Sequence, residues 1–189
     1  MVTADDYAWF DEHDVSLAMA FCATFVRGLT PAEVFARLGI FADPEAEVED
    51  FADEGGITAA AVEGGTILVE PNGYACTLDA VARRLSVGTV TAAVFLNVNA
   101  HQQFVYAADG RVVTWFETDG PDARTGSDPD RLLAEMVELG MPVEDTDPDE
   151  DWGDPILMAL ALAERVTGVR LTPQSIDEPE LIGSTAHLT

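Results

Sequence analysis

Asp recurs at alternate positions across Glu144-Asp145-Thr146-Asp147-Pro148-Asp149-Glu150-Asp151-Trp152-Gly153-Asp154, a spacing that invites comparison with a helix–loop–helix calcium site. Such a loop needs Gly at its sixth place and a bidentate Glu at its twelfth. Counted from Asp145 those places hold Glu150 and Ile156; from Asp147, Trp152 and Met158; from Asp149, Asp154 and Leu160. Every register fails, and the run reads as a solvated acidic loop. The three histidines form no ligand set either. His13 lies between Glu12 and Asp14, where a carboxylate could steady an imidazole base, but three consecutive residues do not share a helix face. His101 falls between two strand-like runs and His187 near the C-terminus. With two cysteines, neither beside a histidine, a tetrahedral zinc site has no donors, and no metal or cofactor is expected.

Nucleophilic and phosphate chemistry fare no better. There is no Gly-x-Ser-x-Gly elbow, and Gly55-Gly56 and Gly64-Gly65 lack the lysine and spacing of a phosphate loop. Cys22, among Phe21, Ala23 and Phe25, reads as a buried thiol, and neither it nor Cys76 belongs to a Cys-x-x-Cys pair. No catalytic residue is assigned. Two loops have the composition of ligand-binding turns: Glu70-Pro71-Asn72-Gly73-Tyr74 after one strand, and Asn97-Val98-Asn99 at the end of another. A cleft near Glu70, Asn72, Asn97 and Asn99 is the enzymatic or small-molecule alternative; turn chemistry is the competing reading.

Charge points elsewhere. The 189 residues hold nine arginines, no lysine and 35 acids, for a formal charge of −26. Such a field repels nucleic-acid phosphates and anionic lipid, and it favours a basic protein partner. Asp43 to Glu54 and Glu144 to Asp154 each hold seven acids and no base. Asp43, Glu45, Glu47, Glu49, Asp50, Glu144, Asp145, Asp147, Asp149 and Asp151 are therefore the candidate partner-binding residues, with steering that weakens in salt. The expected function is a non-enzymatic, acidic protein-binding module, in its narrower form an inhibitor or immunity-type protein that masks a basic toxin, nuclease or regulator. A third alternative, an accessory subunit of a larger assembly, requires an exposed apolar patch near Phe41, Phe51 or Trp152. No apolar run approaches the ~20 residues of a membrane span, and the N-terminus has no signal-peptide character, so a cytoplasmic protein is expected.

The elements that must position these residues follow from periodicity. Leu17, Phe21 and Phe25 recur at i+4, predicting a helix over 14–27 with Asp14 as N-cap and Gly28 as its stop. Thr30-Pro31-Ala32-Glu33 predicts a capping box and a helix to about Leu38, ended by Gly39. Ile57–Val62 and Thr66–Glu70 read as a hairpin, Thr77–Leu85 as a helix, and 90–99, 103–107 and 111–117 as strands, the last two joined at Asp109-Gly110. Helices are predicted over 129–139 and 155–167. The expected fold is a single α+β two-layer domain over residues 1–177, with a mostly antiparallel sheet of about five strands and helices packed on it. An acidic loop at 141–154 and a frayed tail at 178–189 complete the expectation.

Five strings, in order, also carry a resemblance: Gly28-Leu-Thr-Pro-Ala-Glu-Val-Phe-Ala-Arg-Leu-Gly39, Val69-Glu-Pro-Asn-Gly73, Leu96-Asn-Val-Asn99, Phe104-Val-Tyr-Ala-Ala-Asp-Gly-Arg111 and Ala161-Leu-Ala-Glu-Arg-Val-Thr-Gly-Val169. Together they resemble an uncharacterised actinobacterial family of small acidic proteins, a domain of unknown function, across nearly the whole chain. The resemblance implies a GC-rich bacterial source, in line with the absent lysines. It brings no catalytic residue with it.

Overall fold

The computed structural model describes residues 1–47, 55–144 and 151–189. Its centre is β1 (Phe21–Arg27), where the sequence predicts the second half of a helix. The helical part of that segment is confined to α2 (Val15–Met19), which follows the short α1 (Phe10–His13). The misreading has a simple cause. Phe21 and Phe25, four apart, satisfy both a helical repeat and a strand period of two. A strand buried on both faces shows no polar alternation to decide between them. All of β1 except Arg27 is buried.

From β1 the chain enters α3 (Pro31–Leu38), whose expected capping box is present: Glu33 N–H donates to Thr30 Oγ1 at 3.3 Å and Thr30 N–H to Glu33 Oε2 at 2.8 Å. It then forms the hairpin β2 (Gly56–Val62) and β3 (Gly65–Pro71), crosses through α4 (Asp79–Leu85), and meanders through β4 (Val90–Leu96), β5 (Gln102–Ala108), β6 (Arg111–Glu117) and β7 (Gly120–Thr125). Asp109 and Gly110, both at positive φ (49° and 76°), make the tight β5–β6 turn that their sequence predicts. Then come α5 (Leu133–Leu139), α6 (Pro155–Thr167), α7 (Pro173–Asp177) and β8 (Leu181–Ser184). The strand order is β7-β6-β5-β4-β1-β3-β2-β8, antiparallel throughout.

Three expectations are corrected here. The described sheet has eight strands rather than about five; β7, with Gly120 and Pro121 at its start, and the four-residue β8 carry too weak an apolar pattern to be read as strands. The C-terminal segment does not fray. Its β8 pairs with β2, Thr185 is buried, and the His187 ring meets the Leu38 carbonyl at 3.1 Å. The helices also lie on both faces of the sheet, making three layers instead of two.

Alternation along each strand builds the two cores. Phe21, Ala23, Phe25, Val94, Phe104 and Phe116 face α6, α5 and the N-terminal helices. Cys22, Val26, Leu68, Phe95 and Val105 face α3 and α4. Helix α6 is buried continuously from Met158 to Ala163, as a helix packed on most of its sides must be. Asp154 caps it, with Oδ1 accepting from Ile156 N–H at 2.8 Å and Leu157 N–H at 3.0 Å. Among the described residues, no helix is long and apolar enough to cross a membrane.

Candidate functional site

Glu70 sits at the end of β3, beside Cys22 of β1, and is wholly buried. Its carboxylate faces the core: Oε2 accepts from Ala75 N–H at 2.8 Å and Oε1 from Cys76 N–H at 2.9 Å. These are free main-chain donors at the start of a short 3-10 turn, Ala75–Thr77, so Glu70 acts as an internal anchor for the loop that follows it. Burial raises its pKa against the lowering pull of those two donors. Gly73 packs so closely that a Cβ there would come within 2.9 Å of Glu70 Oε2. Cys22 and Cys76 are both buried and free, and burial, with the nearby Glu70 charge, pushes both thiols well up. Such thiols are poor nucleophiles.

The loops holding the other residues of the expected cleft lie at the same end of the sheet, Pro71 and Leu96 both pairing with Phe21. The Glu70 carboxylate, however, is engaged by the Ala75 and Cys76 amides and not by the side chains of Asn72, Asn97 or Asn99. Asn72 is exposed, at positive φ (52°), with its N–H on the Ala20 carbonyl at 2.9 Å. Asn97 folds its side chain back on its own loop, its Oδ1 accepting from Asn99 N–H at 2.9 Å and His101 N–H at 3.1 Å. Asn99 is exposed on that loop. Both loops are held by turn chemistry. A row of rings crosses the sheet above them, Tyr74 to Phe95 at 6.5 Å and Phe95 to His101 at 5.9 Å, and Gln103 joins the His101 ring at 2.8 Å.

The acidic candidates divide by position. Asp43, Glu45 and Glu47 are exposed, on a segment that runs beside β8, where Asp43 N–H donates to the Ile182 carbonyl at 2.9 Å. Glu144 and Asp151 are also exposed; Glu144 follows Val143, whose carbonyl is held by Arg124 of β7 at 3.1 Å. Glu49, Asp50, Asp145, Asp147 and Asp149 lie outside the described residues, as does Phe51. Strands β7 and β8 are the two edges of the sheet, on the order of 30 Å apart at ordinary strand spacing. The described Asp43, Glu45 and Glu47 thus lie on a separate surface from Glu144.

Among the described residues, the Asp43 surface adjoins a large exposed ring. Phe41 is 91% exposed. It follows Ile40, which is buried and whose N–H is held by the Phe35 carbonyl at 2.9 Å, and it precedes the Asp43–Ile182 tie. The ring is therefore displayed by a segment anchored on both sides, a feature no periodicity could signal. Trp152, by contrast, packs against the α6-side core.

The arginines leave the acids largely uncompensated. Arg37 donates to the Leu85 and Val87 carbonyls, Arg84 to that of Leu38, and Arg165 to that of Val2. Among the described residues, no group of three or more His, Cys, Asp or Glu side chains is placed to hold a metal.

The fold is thus a three-layer α/β protein around one antiparallel sheet, with an acidic exterior and an anchored, exposed phenylalanine. The chain belongs to DUF6461, a family of unknown function whose sequence model matches residues 1–185. Comparison with curated proteins and with solved structures gave no match.

Proposed function

We propose that this protein is a protein-binding module that docks a basic partner through Phe41 and the neighbouring carboxylates of Asp43, Glu45 and Glu47. The observation that supports this most is the exposure of Phe41 on an anchored segment flanked by acids. Covering a phenylalanine ring removes apolar surface worth about 1.5–3 kcal/mol. The surrounding carboxylates select a partner with arginine or lysine around an apolar pocket, and they speed its approach. The narrower form, an inhibitor or immunity-type protein that masks a basic toxin, nuclease or regulator, is the simplest use of such a surface. A stable accessory subunit would use the same surface with a larger buried area.

The test is affinity capture from native lysate by wild-type protein and by a Phe41→Ser/Asp43→Asn/Glu45→Gln variant, each washed at low and high salt. The expected result is one basic protein held by the wild type at low salt, weakened by high salt, and depleted at least tenfold on the variant. Equal capture by both proteins, or no specific protein at either salt, overturns the reading.

A further inference from the structure

On the α4 side of the sheet, the helix covers the middle strands and leaves a groove of about 450 Å³ between itself and the β6–β7 corner. Its volume lies in the range of small-molecule sites. Val105, Val112 and Trp115 give it an apolar lining, and the Trp115 indole is oriented by its Nε1–H donating to Gln103 Oε1 at 3.3 Å. Just after β7, Gly126 lets the chain pass against β6: a Cβ there would collide with the Val113 carbonyl. The closeness is held by Ser127 N–H and Asp128 N–H donating to the Val112 and Val113 carbonyls at 3.2 and 3.0 Å. The wall of the groove is therefore fixed by the backbone.

Charge in this groove runs opposite to the rest of the molecule. Two of the nine arginines, Arg83 and Arg111, line it together with a single acid, Asp79. Asp79 pairs with Arg83 at 2.7 Å. Arg111 makes no side-chain hydrogen bond or ion pair with any described residue. The Ser127 hydroxyl donates to the Val112 carbonyl at 3.0 Å and the Thr77 hydroxyl to that of Tyr74 at 2.8 Å, so the guanidiniums, with the neighbouring Thr125 hydroxyl, are the donors left for a ligand. The groove carries a net charge of +1, from two arginines and one aspartate, on a chain of −26.

We propose that this groove binds a small monoanion bearing a flat apolar ring, with the ring against Trp115, Val105 and Val112 and the anionic group on Arg111. A planar guanidinium matches a carboxylate or phosphate edge in two parallel hydrogen bonds. Distant acids oppose the ligand only weakly, because charges more than about 8 Å apart are screened at physiological salt. The groove shares no residue with the Phe41 surface, so either site can fail without the other.

Three probes of one shape test it: 2-naphthoate, 2-naphthalenemethanol and 2-naphthylmethylammonium, titrated into the full chain and followed by backbone amide shifts. The expected result is saturable naphthoate binding, with shifts centred on 111–115 and 125–127, at least about tenfold tighter than the neutral alcohol, a difference of roughly 1.4 kcal/mol. Arg111→Gln should abolish that preference, and Arg131→Gln, outside the groove, should preserve it. Absent saturation by about 10 mM, a preference below tenfold, tightest binding of the ammonium, or shifts centred elsewhere would each overturn the proposal. So would a folded Arg111→Gln protein that keeps the naphthoate preference.

Discussion

Glu70 shows why a residue of catalytic type can have a purely architectural task. Its carboxylate is buried and its two oxygens are taken by the Ala75 and Cys76 amides. Its pKa lies above the ordinary glutamate value because burial outweighs those hydrogen bonds. As pH rises, the unfolded chain releases this proton first. The stabilisation associated with Glu70 is therefore complete below the ordinary glutamate pKa of about 4.3 and is lost as pH climbs through the raised folded value. Glu70→Gln removes that titration. In urea denaturation followed from pH 4 upward, the stability difference between wild type and variant should narrow as pH rises; parallel profiles would show that the carboxyl does not titrate as its burial implies. A second observation at this scale concerns Tyr7. Its hydroxyl donates to Glu164 Oε2 at 2.8 Å and its own pKa is pushed far up, first by burial and then by the Glu164 charge. Arg170 pairs with the same carboxylate at 3.0 Å, so this network fastens the N-terminal turn to α6.

Elements were legible where local chemistry and tertiary context agree. Helix α3 starts and stops where Thr30, Pro31, Glu33 and Gly39 place it, and α6 spans Pro155–Thr167 as its apolar stripe requires. Asp109-Gly110 gives the β5–β6 turn directly. The failures lie where burial erases pattern or pairing replaces it. Strand β1 is buried on both faces and mimics helical spacing, whereas β8 is defined by β2 and scarcely by its own residues. Helix α5 begins at Leu133 because Pro129 and the residues after it form turns, later than the apolar spacing from Pro129 predicts. Of the candidate site, the acidity of the Asp43 segment was readable, but the display of Phe41 depends on the local Ile40 tie together with the Asp43–Ile182 tie, which links distant parts of the chain. The best-defined element offers a quantitative check. Asp154→Ala removes the acceptor for the Ile156 and Leu157 amides and should cost about 1 kcal/mol, within a range of 0.5–2, in chemical denaturation. A loss below a few tenths would mean that water caps α6 equally well.

At the scale of the whole molecule, Asp43, Glu45 and Glu47 run beside one edge strand of the sheet and Glu144 lies beside the other. Most arginines other than Arg111 are tied to main-chain carbonyls and a handful of carboxylates. With a formal charge of −26, charge alone selects a class of partner and does not choose a place. In the proposed docking mode Phe41 supplies the place, because it combines an uncovered apolar ring with backbone ties on both sides. The groove beside α4 is the local exception, and its ligand class follows from Arg111 in the same way. The most direct measurement of the docking claim replaces Phe41 with a photo-crosslinking phenylalanine analogue in cells of the source organism, with the same analogue at exposed Val137 as control. The expected result is one discrete crosslinked species at position 41 containing a basic protein, and none in common with position 137. An uncrosslinked protein at position 41, or the same products from both positions, would contradict the account.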